Sequence, residues 1–246
     1  MRQFFRQMIG MILACALLGA LALVLYVASS YVDSIVSSKG ASVNTEQVKK
    51  SVTVVLDPGH GGMDGGAVGI SGTPEKELNL LIAVKIRSIL ESNGFSVVMT
   101  RDNDTMLTHS SGGTRKQQDL RARVETVSSI DNPVLVSIHM NRFPDSSVKG
   151  MTFYYSPNHP DSYRLAELFH VRLLETLQPS NRRPIKESDD TIYLLYHTSC
   201  PAVLVECGFL SNPLEEAMLS EEDYQNAVAA MLADAIMSFV REKESP

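Results

Sequence analysis

Four side chains that can bind a metal ion or move a proton stand next to segments with a regular pattern. His60 and His139 each follow an apolar segment, VTVVL and VLVSI. Glu75 comes directly after Pro74, where a helix is predicted to begin, and Glu206 ends the segment AVLVE. Two neutral imidazoles and one carboxylate are a common ligand set of catalytic zinc, with a fourth position left for water. The pattern therefore predicts zinc ligands at His60, Glu75 and His139. Glu206 would act beside them as general base and then general acid.

Each of these residues also has an ordinary structural explanation. A single histidine in a glycine-rich turn such as the one around His60 is often structural, and Glu75 could simply favour the start of its helix. Glu206 could belong to a buried salt bridge, because an unpaired charge inside an apolar strand costs several kcal/mol. The metal-site interpretation therefore requires that the fold bring these residues together.

The elements that could do so alternate along the chain. Apolar segments typical of buried strands are separated by segments with helical periodicity, which predicts an α/β fold with a single open, mainly parallel sheet covered by helices. The predicted strands cover residues 52–56, 95–99, 134–138 and 202–206, and the predicted helices cover residues 75–92, 119–129, 161–177 and 221–240. A further strand is expected in residues 150–156 without a predicted direction, and residues 110–118 are expected to form an exposed loop.

This topology would gather the four residues at one edge. The carboxyl ends of parallel strands share a rim of the sheet, and ligands bind at that rim in open α/β folds. Both histidines are expected just past strand ends and Glu206 at a strand end. Asp57 and Asn141 are expected in supporting roles, since ligand histidines usually donate their second nitrogen to an oxygen. For Arg101 and Arg121, contacts to substrate carboxylates and internal salt bridges both stay open.

The N-terminal residues differ in character from the rest. Arg2 and Arg6 precede an uncharged stretch over residues 7–32, which is long enough to cross a bilayer. The positive residues ahead of it place the bulk of the chain outside the cytoplasmic membrane. We therefore expect a signal anchor or signal peptide in residues 1–32, a polar linker in residues 33–50 and one folded domain in residues 51–246.

Composition narrows the class of partner. The net charge of −6 and the pI near 5.5 argue against nucleic acid, whose binders usually present a basic surface. The 3 cysteines are too few for a disulfide scaffold, and Cys200 and Cys207 are expected as free thiols.

Five blocks of sequence resemble the zinc-dependent N-acetylmuramoyl-L-alanine amidases of the type 3 family. The blocks are VVLDPGHGGMDGGA (54–67), EKELNL (75–80), TRD (100–102), VSIHMN (136–141) and PAVLVECGFLSN (201–212). The resemblance covers essentially all of residues 51–241. It implies zinc ligands at His60, Glu75 and His139 and a catalytic glutamate at Glu206. The single short domain behind one apolar segment is most similar in layout to the germination-specific amidases that act on spore cortex.

The predicted function is cleavage of the amide bond between N-acetylmuramic acid and L-alanine in bacterial peptidoglycan, with zinc as cofactor. The alternatives are another zinc-dependent amide hydrolase of peptidoglycan and a catalytically idle module that binds the cell wall. Peptidoglycan and, through the N-terminal segment, the membrane are the expected partners, and a protein partner stays open.

Overall fold

The computed structural model describes residues 51–110 and 112–244. The predicted signal segment and linker, residues 1–50, lie outside the described residues. Within the described ranges, no helix combines the length and the apolar character needed to cross a membrane.

The described residues form an α/β fold with six strands and six helices. The strands are β1 (Thr53–Pro58), β2 (Ser96–Met99), β3 (Pro133–Asn141), β4 (Thr152–Tyr155), β5 (Lys186–Glu187) and β6 (Ala202–Phe209). The helices are α1 (Glu75–Ser92), α2 (Arg115–Ser128), α3 (Asp161–Thr176), α4 (Tyr193–His197), α5 (Pro213–Ser220) and α6 (Glu222–Glu244). The strand order in the sheet is β2-β1-β3-β6-β4-β5.

The sheet is mainly parallel, which confirms the predicted fold class. β1 pairs in parallel with β2 and β3, β3 with β6, and β4 with β5. The exception is β4, which runs antiparallel to β6. The sequence did not predict the direction of β4. The antiparallel register determines which residue of β4 lies opposite each residue of β6.

The two faces of the sheet carry cores of different size. On one face, Val54, Val136 and Val205 pack in a large apolar core against residues of α1, α3 and α6. On the other face, Val55 and Leu135 belong to a small core closed by residues of α2 and α4. The second face is therefore covered only in part.

Several predicted boundaries need correction. β1, β3 and β6 extend to Pro58, Asn141 and Phe209, so the sheet continues two or three residues further than the apolar patterns indicate. The additional residues of β3 and β6 are still paired with each other, since His139 lies opposite Glu206 in the β3–β6 ladder. Both residues therefore lie within strands rather than at or past their ends.

The predicted loop over residues 110–118 is wrong in its second half. α2 begins at Arg115, since the Thr114 side chain accepts from the Gln117 N–H while the Gln117 side chain accepts from the Thr114 N–H. Such a capping box satisfies two N–H groups at a helix start. The sequence interpretation also missed the three short elements β5, α4 and α5.

Candidate active site

A cavity of about 540 Å³ opens where the second face of the sheet is left uncovered. This volume lies in the range typical of ligand pockets. Its floor includes His60, His139 and Glu206, while Leu120 of α2 and Tyr193 of α4 lie on its walls. The partial cover of this face thus provides the space for a substrate.

Strand alternation determines which side chains reach the cavity. Successive side chains of a strand point to opposite faces. Leu135 and Leu204 belong to the small core, and two-residue steps along their strands lead to Ser137, His139 and Glu206. These positions therefore share the face of the small core, but they lie near the carboxyl ends, where the cavity replaces the covering helices.

His60, Glu75 and His139 form one cluster. Glu75 Oε1 lies 2.8 Å from His139 Nδ1, and Glu75 Oε2 lies 3.3 Å from His60 Nε2. The Glu75 carboxylate also accepts from the backbone N–H of Ala67 at 2.8 Å and of Met140 at 3.0 Å. One ligand atom from each of the three residues lies within 4.8 Å of the others, so the cluster could hold a metal ion.

The chemistry of this donor set fits zinc. Burial alone would raise the pKa of Glu75, but His139 and His60 hold it well below its ordinary range. Burial alone would lower the pKa of His60, but Glu75 and Asp64 raise it. Two imidazoles around an ionised carboxylate match the ligands of catalytic zinc in enzymes that keep an open position.

Tight backbone geometry places the two histidines. His60 has a φ of 60°, in the left-handed region that non-glycine residues rarely adopt. A Cβ atom added to Gly59 would lie 2.2 Å from the His139 ring, and one added to Gly66 would lie 2.5 Å from Glu75 Oε2. The glycines of the GHGG segment and its continuation are therefore required for close approach of the backbone to the cluster.

Glu206 lies beside this cluster, opposite His139 in the β3–β6 ladder. The pKa of Glu206 is raised to about 7, mainly by burial and also by the nearby Glu75, although His139 and His60 lower it. A carboxyl group with a pKa near neutrality can both accept and release a proton at the pH of most cellular compartments. The four predicted site residues are thus brought together.

A buried ion network lies beneath the cluster. Arg123 of α2 donates from Nη1 to Asp57 Oδ1 at 2.6 Å and from Nε to Asp119 Oδ2 at 2.8 Å. Its Nη2 donates to the His60 carbonyl at 2.6 Å. Burial alone would raise the pKa of Asp57, but Arg123, Ser137 and Thr100 lower it to about 2. The guanidinium therefore supports the strained backbone at His60.

One supporting role differs from the role that the sequence predicts, and one open alternative is decided. Asp57 contacts Arg123 rather than a ligand histidine, and Asp64 Oδ2 instead lies 3.0 Å from His60 Nδ1. Arg101 is internal, because it donates to the carbonyls of residues 58, 59, 76 and 103. Sequence reasoning missed Asp64, although its position four residues after His60 is a usable signal. It also missed Arg123.

Known proteins share this chain's sequence and fold. A family model, Amidase_3, described as N-acetylmuramoyl-L-alanine amidase, matches residues 54–238. The germination-specific N-acetylmuramoyl-L-alanine amidase of Bacillus subtilis (strain 168) is 35% identical over 198 residues, which cover 78% of this chain and 81% of the relative.

Solved structures agree with these matches. The CwlD amidase from Clostridioides difficile, solved in complex with the GerS lipoprotein, has a TM-score of 0.73 and 36% identity, over 77% of this chain and 98% of that chain. The catalytic domain of CwlV is an N-acetylmuramoyl-L-alanine amidase from Bacillus (Paenibacillus) polymyxa var. colistinus. It has a TM-score of 0.66 and 37% identity, over 77% of this chain and 98% of that chain.

The family model spans every strand of the sheet except the first residue of β1, and it includes His60, Glu75, His139 and Glu206. The chain therefore belongs to the Amidase_3 family and is an N-acetylmuramoyl-L-alanine amidase, a hydrolase of bacterial peptidoglycan.

Proposed function

We propose that this amidase is a zinc enzyme in which His60, Glu75 and His139 hold the metal and Glu206 transfers the proton. The observation that carries the proposal is the cluster of the three ligand-type side chains, two of which, His60 and His139, line the same cavity as Glu206. The family match favours the amidase over the two alternatives, another peptidoglycan amide hydrolase and an idle wall-binding module.

In this mechanism the residues of the chain have separate tasks. Zinc held by the cluster would supply a Lewis acid that polarises the scissile carbonyl and activates water. Glu206 takes a proton from the attacking water and later delivers it to the nitrogen of the departing L-alanine. The oxygen of water stays on the lactyl carbon and the C–N bond breaks. The products are a carboxylate on the glycan and a free amine on the stem peptide.

The ligand assignment predicts the metal content of variants. Replacing His60, Glu75 or His139 by alanine is expected to weaken zinc binding by at least about 100-fold, since even residues behind metal ligands contribute 10- to 100-fold. His170→Ala on α3 is the matched control and should bind zinc like the parent. Zinc content is measured by elemental analysis after dialysis against a competing chelator, with circular dichroism to verify folding. A folded variant of all three ligands with full zinc content would contradict the assignment.

Spore cortex is the proposed form of the substrate. The support is the germination-specific relative, which is 35% identical and 81% of whose length is matched. The zinc-loaded protein is therefore expected to release stem peptides faster from cortex than from vegetative peptidoglycan, as measured by mass spectrometry of the soluble products. Equal release from both materials would remove the cortex proposal and leave the amidase assignment unchanged.

The place of action is proposed from the N-terminal residues. Arg2 and Arg6 precede the uncharged stretch of residues 7–32, and this order supports a catalytic domain outside the cytoplasmic membrane, where peptidoglycan lies. A reporter that is active only outside the cytoplasm, fused after Pro246, is expected to be active. A stably expressed but silent fusion would contradict export.

For protein partners, the GerS complex of the C. difficile relative indicates which class of protein to test by co-purification.

A further inference from the structure

Two neighbouring polar atoms beside the cluster are buried without a partner. Within the part of the chain that the structure describes, neither Thr152 Oγ1 nor Glu206 Oε2 has a hydrogen bond. Thr152 is only 1% exposed to solvent. Buried side-chain oxygens are paired in the large majority of cases, because an unpaired one loses its hydration without compensation. Two such atoms at one place therefore call for a common explanation.

The strand register places these two side chains next to each other. β4 is antiparallel to β6, and Thr152 lies directly opposite Glu206. Residues directly opposite in an antiparallel pair share a face, with Cβ atoms about 4.5–5.5 Å apart. The next pair on this face, Tyr154 and Leu204, lines the cavity. Thr152 thus lies beside Glu206 on the neighbouring strand, and it is not among the residues that line the cavity.

The hydrogen-bonding chemistry of the two groups is complementary. An ionised carboxylate accepts hydrogen bonds only, whereas a threonine hydroxyl can donate one and accept others. A change of the Thr152 χ1 between staggered positions moves the hydroxyl around its Cβ without moving the strand. In one of these staggered positions the hydroxyl would face β6 and the unpaired oxygen of Glu206.

We propose that Thr152 is a positioning residue for Glu206, to which its hydroxyl donates a hydrogen bond at Oε2. This contact restricts the Glu206 side chain to the orientation in which Oε1 faces the cavity and can exchange a proton with the substrate. The inference rests on the proposed role of Glu206. It assigns to Thr152 no contact with the substrate or with the metal.

Thr152→Val removes the hydroxyl but keeps the β-branched shape. In the zinc-saturated full-length protein, kcat for release of stem peptides is expected to fall about 10-fold, the equivalent of one hydrogen bond to a charged group. KM should stay unchanged. The Tm should fall by no more than a few degrees, because valine fills the same space and only one hydrogen bond is lost. Thr152→Ser, which retains the hydroxyl, should restore most of kcat. Thr53→Val, at the far end of β1, is the matched control and should behave like the parent.

A double-mutant cycle shows whether the effect passes through Glu206. In the Glu206→Gln background, Thr152→Val is expected to cause almost no further loss of kcat. A Thr152→Val protein with parental kcat would overturn the inference, as would an equal loss in both backgrounds or a loss that Thr152→Ser does not restore. These results leave the role of Glu206 intact. If Glu206→Gln itself kept near-parental activity, the proposed function would fail first, which separates the two failures.

Discussion

Glu206→Gln is expected to lower kcat by about 10²- to 10⁴-fold, the usual contribution of a general acid-base residue. Glutamine has nearly the same shape as glutamate, but its amide cannot take a proton from water or return one to the leaving amine. The raised pKa of Glu206, about 7, suits both steps of this transfer near neutral pH. The rate is measured as release of stem peptides from purified peptidoglycan by the zinc-saturated protein.

The zinc content and the Tm separate this effect from damage to the site. Both should match the parent, because Glu206 is not among the three proposed ligands. Glu125→Gln, the same substitution on α2 outside the cavity, is the matched control and should change the rate by less than a few-fold. Near-parental cleavage by a metal-loaded Glu206→Gln protein would show that another group transfers the proton.

Arg123→Met is expected to destabilise the fold by about 3–5 kcal/mol, the typical effect of removing one partner from a buried ion pair. Asp57 and Asp119 would lose the guanidinium between them while both remain buried. The His60 carbonyl would lose its donor as well, although the φ of 60° at that residue depends on support from its surroundings. The free energy of unfolding is measured by urea denaturation of the metal-free protein.

A neighbouring arginine supplies the control for this experiment. Arg121 lies on the same helix but is half-buried, with a bond to the Gly112 carbonyl near the surface. Arg121→Met should therefore cost less than about 1 kcal/mol. Asp57→Asn combined with Arg123→Met should cost less than the sum of the two single changes, because both remove the same interaction. A loss below 1 kcal/mol for Arg123→Met would exclude the buried network as a source of stability.

The sequence was sufficient for the layout of the fold and for the cluster of His60, Glu75 and His139. Apolar runs and helical periodicity are local properties, and the shared rim of parallel strands follows from them. Pro74 and Glu75 mark the start of α1, and the structure begins that helix at Glu75. What the sequence could not supply is pairing between distant elements.

Arg123 and Thr152 illustrate this limit. Arg123 belongs to a helix of mostly polar residues, where an arginine is ordinarily exposed, and its burial depends on how α2 packs over β1 and β3. Thr152 belongs to a strand whose direction the sequence left open. Only the antiparallel register with β6 places it opposite Glu206. The start of α2 was missed for a different reason, since the glycines and serines of residues 110–113 obscured the local signal of Thr114 and Gln117.

The unequal cover of the two sheet faces has a consequence for how this enzyme can diversify. The large core between the sheet and α1, α3 and α6 supplies most of the buried apolar surface. The outer wall of the cavity is instead built from short pieces of chain, such as β5 and the five-residue α4. Mutations in that wall can alter which fragment of peptidoglycan is bound without removing apolar contacts from the large core. Evolution can therefore explore new specificities on one side of the sheet while the other side preserves the scaffold.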